Sequence, residues 1–118
     1  MPGRVKPRIL CLSVSSLKLT QMCAALPARE YQVLSASNPA QAVAVCATNN
    51  IAAVVLDSEF LTDGGSTLAQ TFKAVNPHAL IVLLERGHNG DVPDAVDAVA
   101  TTKEMMLKKL AALIKSSR

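Results

Sequence analysis

Ile51-Ala52-Ala53-Val54-Val55-Leu56-Asp57 is the stretch that decides the fold. The run stays apolar without interruption until a carboxylate closes it. A strand buried on both faces reads this way, because helices cover it above and below. Gly65 follows eight residues later, ahead of the next helical pattern. In an open α/β sheet, ligands and reacting groups sit at the C-terminal ends of the strands. Asp57 is therefore a reactive carboxylate or the relic of one.

Four further apolar runs surround this one: Ile9–Leu12, Tyr31–Leu34, Ala79–Leu84 and Ala95–Ala100. Helical patterns lie between them. Leu19, Met22, Cys23 and Leu26 recur at i, i+3, i+4, i+7, and Pro27 ends that helix. Asn38-Pro39-Ala40-Gln41 is a helix start, with Asn as N-cap, Pro at the first helical position and Gln at the third. That helix buries Ala42, Val45 and Cys46 and ends at Asn49-Asn50. Ser66 is the expected cap of a third helix with Leu68, Phe72 and Val75 on its inner face, stopped by Asn76-Pro77. The last helix has Leu107, Leu110, Ala111 and Ile114 as its core stripe and lysines opposite. Between the fourth and fifth runs, residues 85–94 hold two glycines and a proline, so a helix there is short or absent. The order β-α-β-α-β-α-β-link-β-α gives a parallel sheet with helices on both faces.

Composition bounds the rest. The chain of 118 residues suits one domain, and half of it is apolar, enough for a full core. No apolar stretch approaches a membrane span. The basic start, Arg4 to Arg8, lacks a small-residue cleavage site after an apolar segment, so a cytoplasmic protein is expected. Cys11, Cys23 and Cys46 are odd in number, fall in apolar segments and form no C-x-x-C pair, which reads as reduced thiols rather than a zinc site. The net charge of +3 is uneven. Arg4, Lys6 and Arg8 give the first eight residues +3; Lys103, Lys108, Lys109, Lys115 and Arg118 against Glu104 give the last sixteen +4, leaving −4 for the body. Basic ends admit nucleic acid or an acidic partner. With only Tyr31, Phe60 and Phe72 as aromatics, no base-stacking platform is visible.

A five-stranded α/β domain of this length, with Asp57 closing strand three and Gly65 eight residues on, resembles the response-regulator receiver (CheY-like) family. The likeness covers residues 8–115 and makes residues 1–118 a single receiver-like domain. It implies a three-layer flavodoxin-like fold, doubly wound, with strand order 2-1-3-4-5. It also implies that Asp57 is the phosphoacceptor position, served by a kinase or phosphotransfer protein in a bacterial-type two-component or phosphorelay pathway. In such receivers an acidic pair after strand one helps hold Mg²⁺, which bridges the carboxylate and the phosphoryl dianion.

The chain departs from that pattern almost everywhere else. The acidic-pair positions fall on Ser13 and Val14, or on Ser15 and Ser16 if the alignment slides by two. Neither choice restores a carboxylate, and hydroxyls are weak Mg²⁺ ligands. The hydroxyl at the end of strand four is replaced by Leu84, and the small residue after it by Glu85. The lysine after strand five falls on Thr102, with Lys103 one place late; the switch aromatic falls near Val99. Glu59 could supply a substitute metal ligand with Asp57, or simply be a loop glutamate. Arg86 or Lys103 beside Asp57 would do permanently what Mg²⁺ does transiently. Asp57 could equally accept backbone N–H groups as a structural carboxylate. Asp63-Gly64-Gly65 is a turn without the ending of a phosphate-binding loop.

The expectation is thus a pseudo-receiver that works through a protein partner, a kinase, phosphotransfer or output protein, or a second copy of itself. It needs no cofactor, and Mg²⁺ only if phosphorylation is retained. Beyond self-phosphorylation on Asp57 no enzymatic activity is expected. The alternatives are a working phosphoacceptor on Asp57 and a basic nucleic-acid-binding module. The second lacks support beyond charge. Neither His78 nor His88 sits in a catalytic motif.

Overall fold

A computed structural model describes residues 6–13, 15–57, 65–84 and 96–116, with Asp57, residues 65–67 and Ser116 described by backbone alone. Its elements run β1 (Arg8–Leu12), α1 (Ser16–Ala25), β2 (Gln32–Ala36), α2 (Pro39–Thr48), β3 (Ile51–Asp57), α3 (Gly65–Val75), β4 (Leu80–Leu84), β5 (Ala98–Ala100) and α4 (Lys103–Ser116). The strands form one parallel sheet in the order β2-β1-β3-β4-β5. This is the doubly wound, flavodoxin-like arrangement expected from the strand and helix alternation.

Two cores lie on opposite faces of the sheet. Leu10, Leu12, Val54, Leu56, Ile81 and Leu83 meet Ala42 and Cys46 of α2 and Ala69 and Phe72 of α3. Ile9, Cys11, Ala53, Val55 and Val82 meet Met22 of α1 and Met106, Leu110 and Ile114 of α4. The period-two alternation of each strand sorts its side chains between these cores. One exception is explained by a register shift: Arg8 pairs with Ile51 but Ile9 pairs with Ala53, so Ala52 is passed over and Ile51 joins the first core.

The helix starts follow local chemistry. Asn38 Oδ1 accepts the Gln41 amide at 2.8 Å, Pro39 occupies the first turn, and Gln41 Oε1 accepts the Ser37 amide at 3.0 Å. Ser15 caps α1, its hydroxyl accepting the Lys18 amide at 3.3 Å. Thr102 caps α4, its Oγ1 accepting the Met105 amide at 3.1 Å. Such caps each contribute about 1 kcal/mol.

Four sequence expectations are corrected. β5 spans only Ala98–Ala100, because Asp97 breaks the apolar run and spends its carboxylate on β4. α3 begins at Gly65, so Ser66 lies inside the helix rather than capping it. Val75 is 39% exposed; the inner stripe of α3 continues from Ala69 and Phe72 to Asn76, whose amide donates to the Ile51 carbonyl at 3.2 Å. On α4 the buried stripe is Met106, Leu110 and Ile114 with Leu107 packed beside it, while Ala111 faces solvent. A methyl group costs little in water, so alanine is a poor marker of a helix's inner face. The link after β4 lies outside the described residues; among those described there are four helices. None of these is long and apolar enough to cross a membrane.

Candidate functional site

The strand ends converge on one edge of the sheet. Leu12 pairs with Leu56, Asp57 pairs with Leu84, and Leu84 pairs with Ala100. The backbone of Asp57 therefore stands between the residue following β1 and the last residue of β4. Parallel pairing makes this edge the place where the turns leading to α1, α3 and α4 begin. Of the positions that the sequence reading singled out, the register pairs Asp57 with Leu84; Ser13 follows the end of β1, and Thr102 and Lys103 follow the end of β5.

Ser13 is the only buried polar residue among those described, with none of its surface exposed. Its hydroxyl oxygen accepts the Ser15 amide at 3.2 Å. This is a side-chain-to-backbone turn of the kind serine makes in place of a backbone turn. Ser15, the other candidate for an acidic-pair position, is committed to capping α1. The Ser13 and Ser15 hydroxyls thus both serve the backbone of the β1–α1 connection. Val14 lies outside the described residues.

The far side of the edge is equally altered. Leu84 is half-buried and packs with the α1/α4 core, giving that strand end a hydrocarbon surface. Thr102, where the family lysine would fall, is engaged as the α4 cap: besides its side-chain bond, its carbonyl accepts the Met106 amide at 2.9 Å. Lys103 is the first residue of α4 and half-buried. Val99, near which the resemblance put an aromatic, is partly buried against the α2/α3 core. Glu59, Glu85, Arg86, His88 and Asp63-Gly64 lie outside the described residues.

Among the described residues, the donors on this edge do not make a Mg²⁺ site. That ion is held by charged oxygen donors and retains its waters otherwise. The described positions offer the single carboxylate position Asp57, a neutral hydroxyl already bonded to an amide, and hydrocarbon. No group of three His, Cys, Asp or Glu side chains comes together among the described residues.

Sequence reasoning missed Asp97. Its Oδ2 accepts the Ile81 amide at 2.8 Å and the Lys73 ammonium at 2.7 Å, while its own amide donates to the Ile81 carbonyl at 2.8 Å. One carboxylate thus fixes the entry of β5 to β4 and ties α3 to both. The signal was a lone Asp inside an otherwise apolar run.

Comparison with family models finds no match, and comparison with curated proteins finds none either. Solved structures do match. A CheY-like receiver domain protein from Methanospirillum hungatei aligns with a TM-score of 0.82, at 15% identity, over 96% of this chain and 97% of its own. A response regulator from Thermotoga maritima gives 0.80 at 15% identity, over 94% and 99%. A response regulator from Burkholderia pseudomallei, solved with a phosphorylated aspartic acid, calcium and citrate, gives 0.75 at 19% identity, over 94% and 70%. The chain has the fold of CheY-like response-regulator receiver domains. The low identities mark it as a divergent example of that fold.

Proposed function

We propose that this chain is an atypical receiver domain in signal transduction, a single domain that works by binding another protein, with phosphorylation of Asp57 lost or weakened. The observation that carries the reading is Ser13. A conventional receiver needs charged oxygens beside its aspartate so that a divalent cation can offset repulsion between carboxylate and incoming phosphoryl group. Here the neighbouring position is a wholly buried, neutral hydroxyl engaged with the Ser15 amide. Leu84 and Thr102 extend the same trend, since neither offers a group suited to a phosphoryl oxygen in its present role.

Output then comes from association. Lys108, Lys109 and Lys115 are exposed on α4, which suits an acidic protein surface, and Leu17 at the start of α1 is 67% exposed. A kinase, a phosphotransfer protein, an output protein or a second copy are the partners this fold serves. A cytoplasmic location is consistent with helices that do not reach membrane-spanning length.

The competing reading is a working phosphoacceptor, favoured by Asp57 itself, which closes β3 at the edge where such chemistry occurs. It would draw on Glu59 with Asp57 for metal. A titration of the full chain with Mg²⁺, followed through the backbone amide resonances of Ser13, Leu56, Leu84 and Lys103, separates the two. Unchanged resonances at millimolar Mg²⁺ support the atypical reading; saturable shifts centred on these residues support the phosphoacceptor.

A further inference from the structure

The opposite edge of the sheet, where β1 and β3 begin, holds a cavity of about 380 Å³ lined by Lys6, Pro7, Arg8, Asn50 and Ala52. Small-molecule sites span about 300–1,000 Å³, and this volume falls among them. Asp57 closes the other end of β3, so the cavity is separate from the candidate site.

A local irregularity opens it. β3 lies between β1 and β4, and its residues Ile51, Ala53 and Val54 are buried. Ala52, in the same central strand, is only half-buried. The register explains this. β1 passes over Ala52 between Ile51 and Ala53, and pairing with β4 starts only at Ala53. A residue skipped in this way bends its strand, and such bulges are over-represented next to functional sites. Alanine at that point leaves room that a larger side chain would fill. Asn49 caps α2 and its carbonyl accepts the Ile51 amide at 3.0 Å, a tight connection that brings Asn50 into the lining.

The charge of the cavity is one-sided. Lys6 and Arg8 supply two positive charges, Asn50 adds a carboxamide, and none of the five lining residues is acidic. Each cation is held by a neutral acceptor that leaves its charge uncompensated. Lys6 Nζ donates to the Ala28 carbonyl at 2.9 Å, and Arg8 Nε donates to Gln32 Oε1 at 3.2 Å. The bond to Gln32 uses Nε alone and steadies the guanidinium while its two terminal nitrogens stay available.

From this geometry we propose that the cavity binds small organic phosphates. The phosphate head is held by the Lys6 ammonium and the terminal nitrogens of Arg8, the carbon body lies against Pro7 and Ala52, and Asn50 meets a hydroxyl of the ligand. A phosphate monoester carries about −1.5 to −2 charge at pH 7, which matches two cations better than a single carboxylate does. The guanidinium fork also fits phosphate oxygens two at a time. A bare oxyanion would leave the apolar part of the lining uncovered.

The test follows the backbone amide resonances of Arg8, Asn50 and Ala52 in the full chain at constant ionic strength. The probes are glycerol 3-phosphate, inorganic phosphate and acetate. Glycerol 3-phosphate is expected to give saturable shifts at these residues, inorganic phosphate to saturate at higher concentration, and acetate to leave them in place. Arg8→Gln is expected to weaken glycerol 3-phosphate binding by about tenfold or more, since a charged hydrogen-bond donor is lost. Lys6→Gln, at an exposed position, is expected to weaken it by a smaller factor. Shifts that never saturate, an equal response to acetate, or equal shifts at Lys108 and Lys109 on α4 would mark general charge screening and overturn the proposal. Inorganic phosphate binding as tightly as glycerol 3-phosphate would overturn the organic part of it. Should Arg8→Gln fail to fold by circular dichroism, Lys6→Gln and the three probes decide. An unactivated phosphate ester does not phosphorylate a carboxylate, so no outcome depends on the receiver reading.

Discussion

Ser13 holds the amide of Ser15 at 3.2 Å, immediately beyond the point where Leu12 of β1 pairs with Leu56 of β3. A position expected to carry a metal-binding charge is instead a buried structural acceptor. Its chemistry belongs to the β1–α1 turn, so among the described residues this position presents a neutral hydroxyl rather than a charge.

Removing that acceptor has a defined cost. Ser13→Ala is expected to lower stability by about 1–2 kcal/mol, because a part-buried amide loses its partner. Urea unfolding should show a lower midpoint with an unchanged slope. A variant as stable as the parent would mean that the bond contributes nothing.

Asp97 and Lys73 should respond unequally although they touch at 2.7 Å. Both side chains are about 30% exposed or slightly less, so the ion pair alone is expected to contribute no more than about 1 kcal/mol, and less in high salt. Lys73→Ala is therefore a mild change. Asp97→Ala also strips the acceptor from the Ile81 amide and is expected to cost about 1–3 kcal/mol. Equal losses from the two variants in urea unfolding would refute this division.

Cys23 sets a pH dependence with a definite sign. Its folded-state value of about 7 lies below the ordinary thiol value, so its contribution to stability is present in full above that ordinary value and is lost as pH falls through about 7. Cys11 acts oppositely: held well above the ordinary value, it withdraws stability as pH rises past that ordinary value, where the unfolded chain releases its proton. Stability should therefore climb from about pH 7 to about pH 9 and then fall. Cys23→Ser should lose the climb, and its urea midpoints across that range are the measurement. A climb of the same size in the variant would assign it elsewhere.

Much of the frame was legible in the sequence because burial writes it directly. The run from Ile51 to Leu56 had to be a central strand, and Asn38-Pro39 with Gln41 had to start a helix. The departures at the site were legible too, since a missing carboxylate is visible without coordinates. What sequence could not show were roles decided by partners far along the chain. Asp97 stands at the entry of β5 because Ile81 and Lys73 meet it from sixteen and twenty-four residues away. Thr102, on which the resemblance put the lysine position, is a cap through its bonds to Met105 and Met106.

The most direct measurement is the intact mass of the folded chain after incubation with acetyl phosphate and Mg²⁺, beside an Asp57→Ala control. An atypical receiver that signals by association predicts an unshifted mass for both proteins. A phosphoryl adduct on the unmutated chain that is absent from Asp57→Ala would contradict it and restore Asp57 as a working phosphoacceptor.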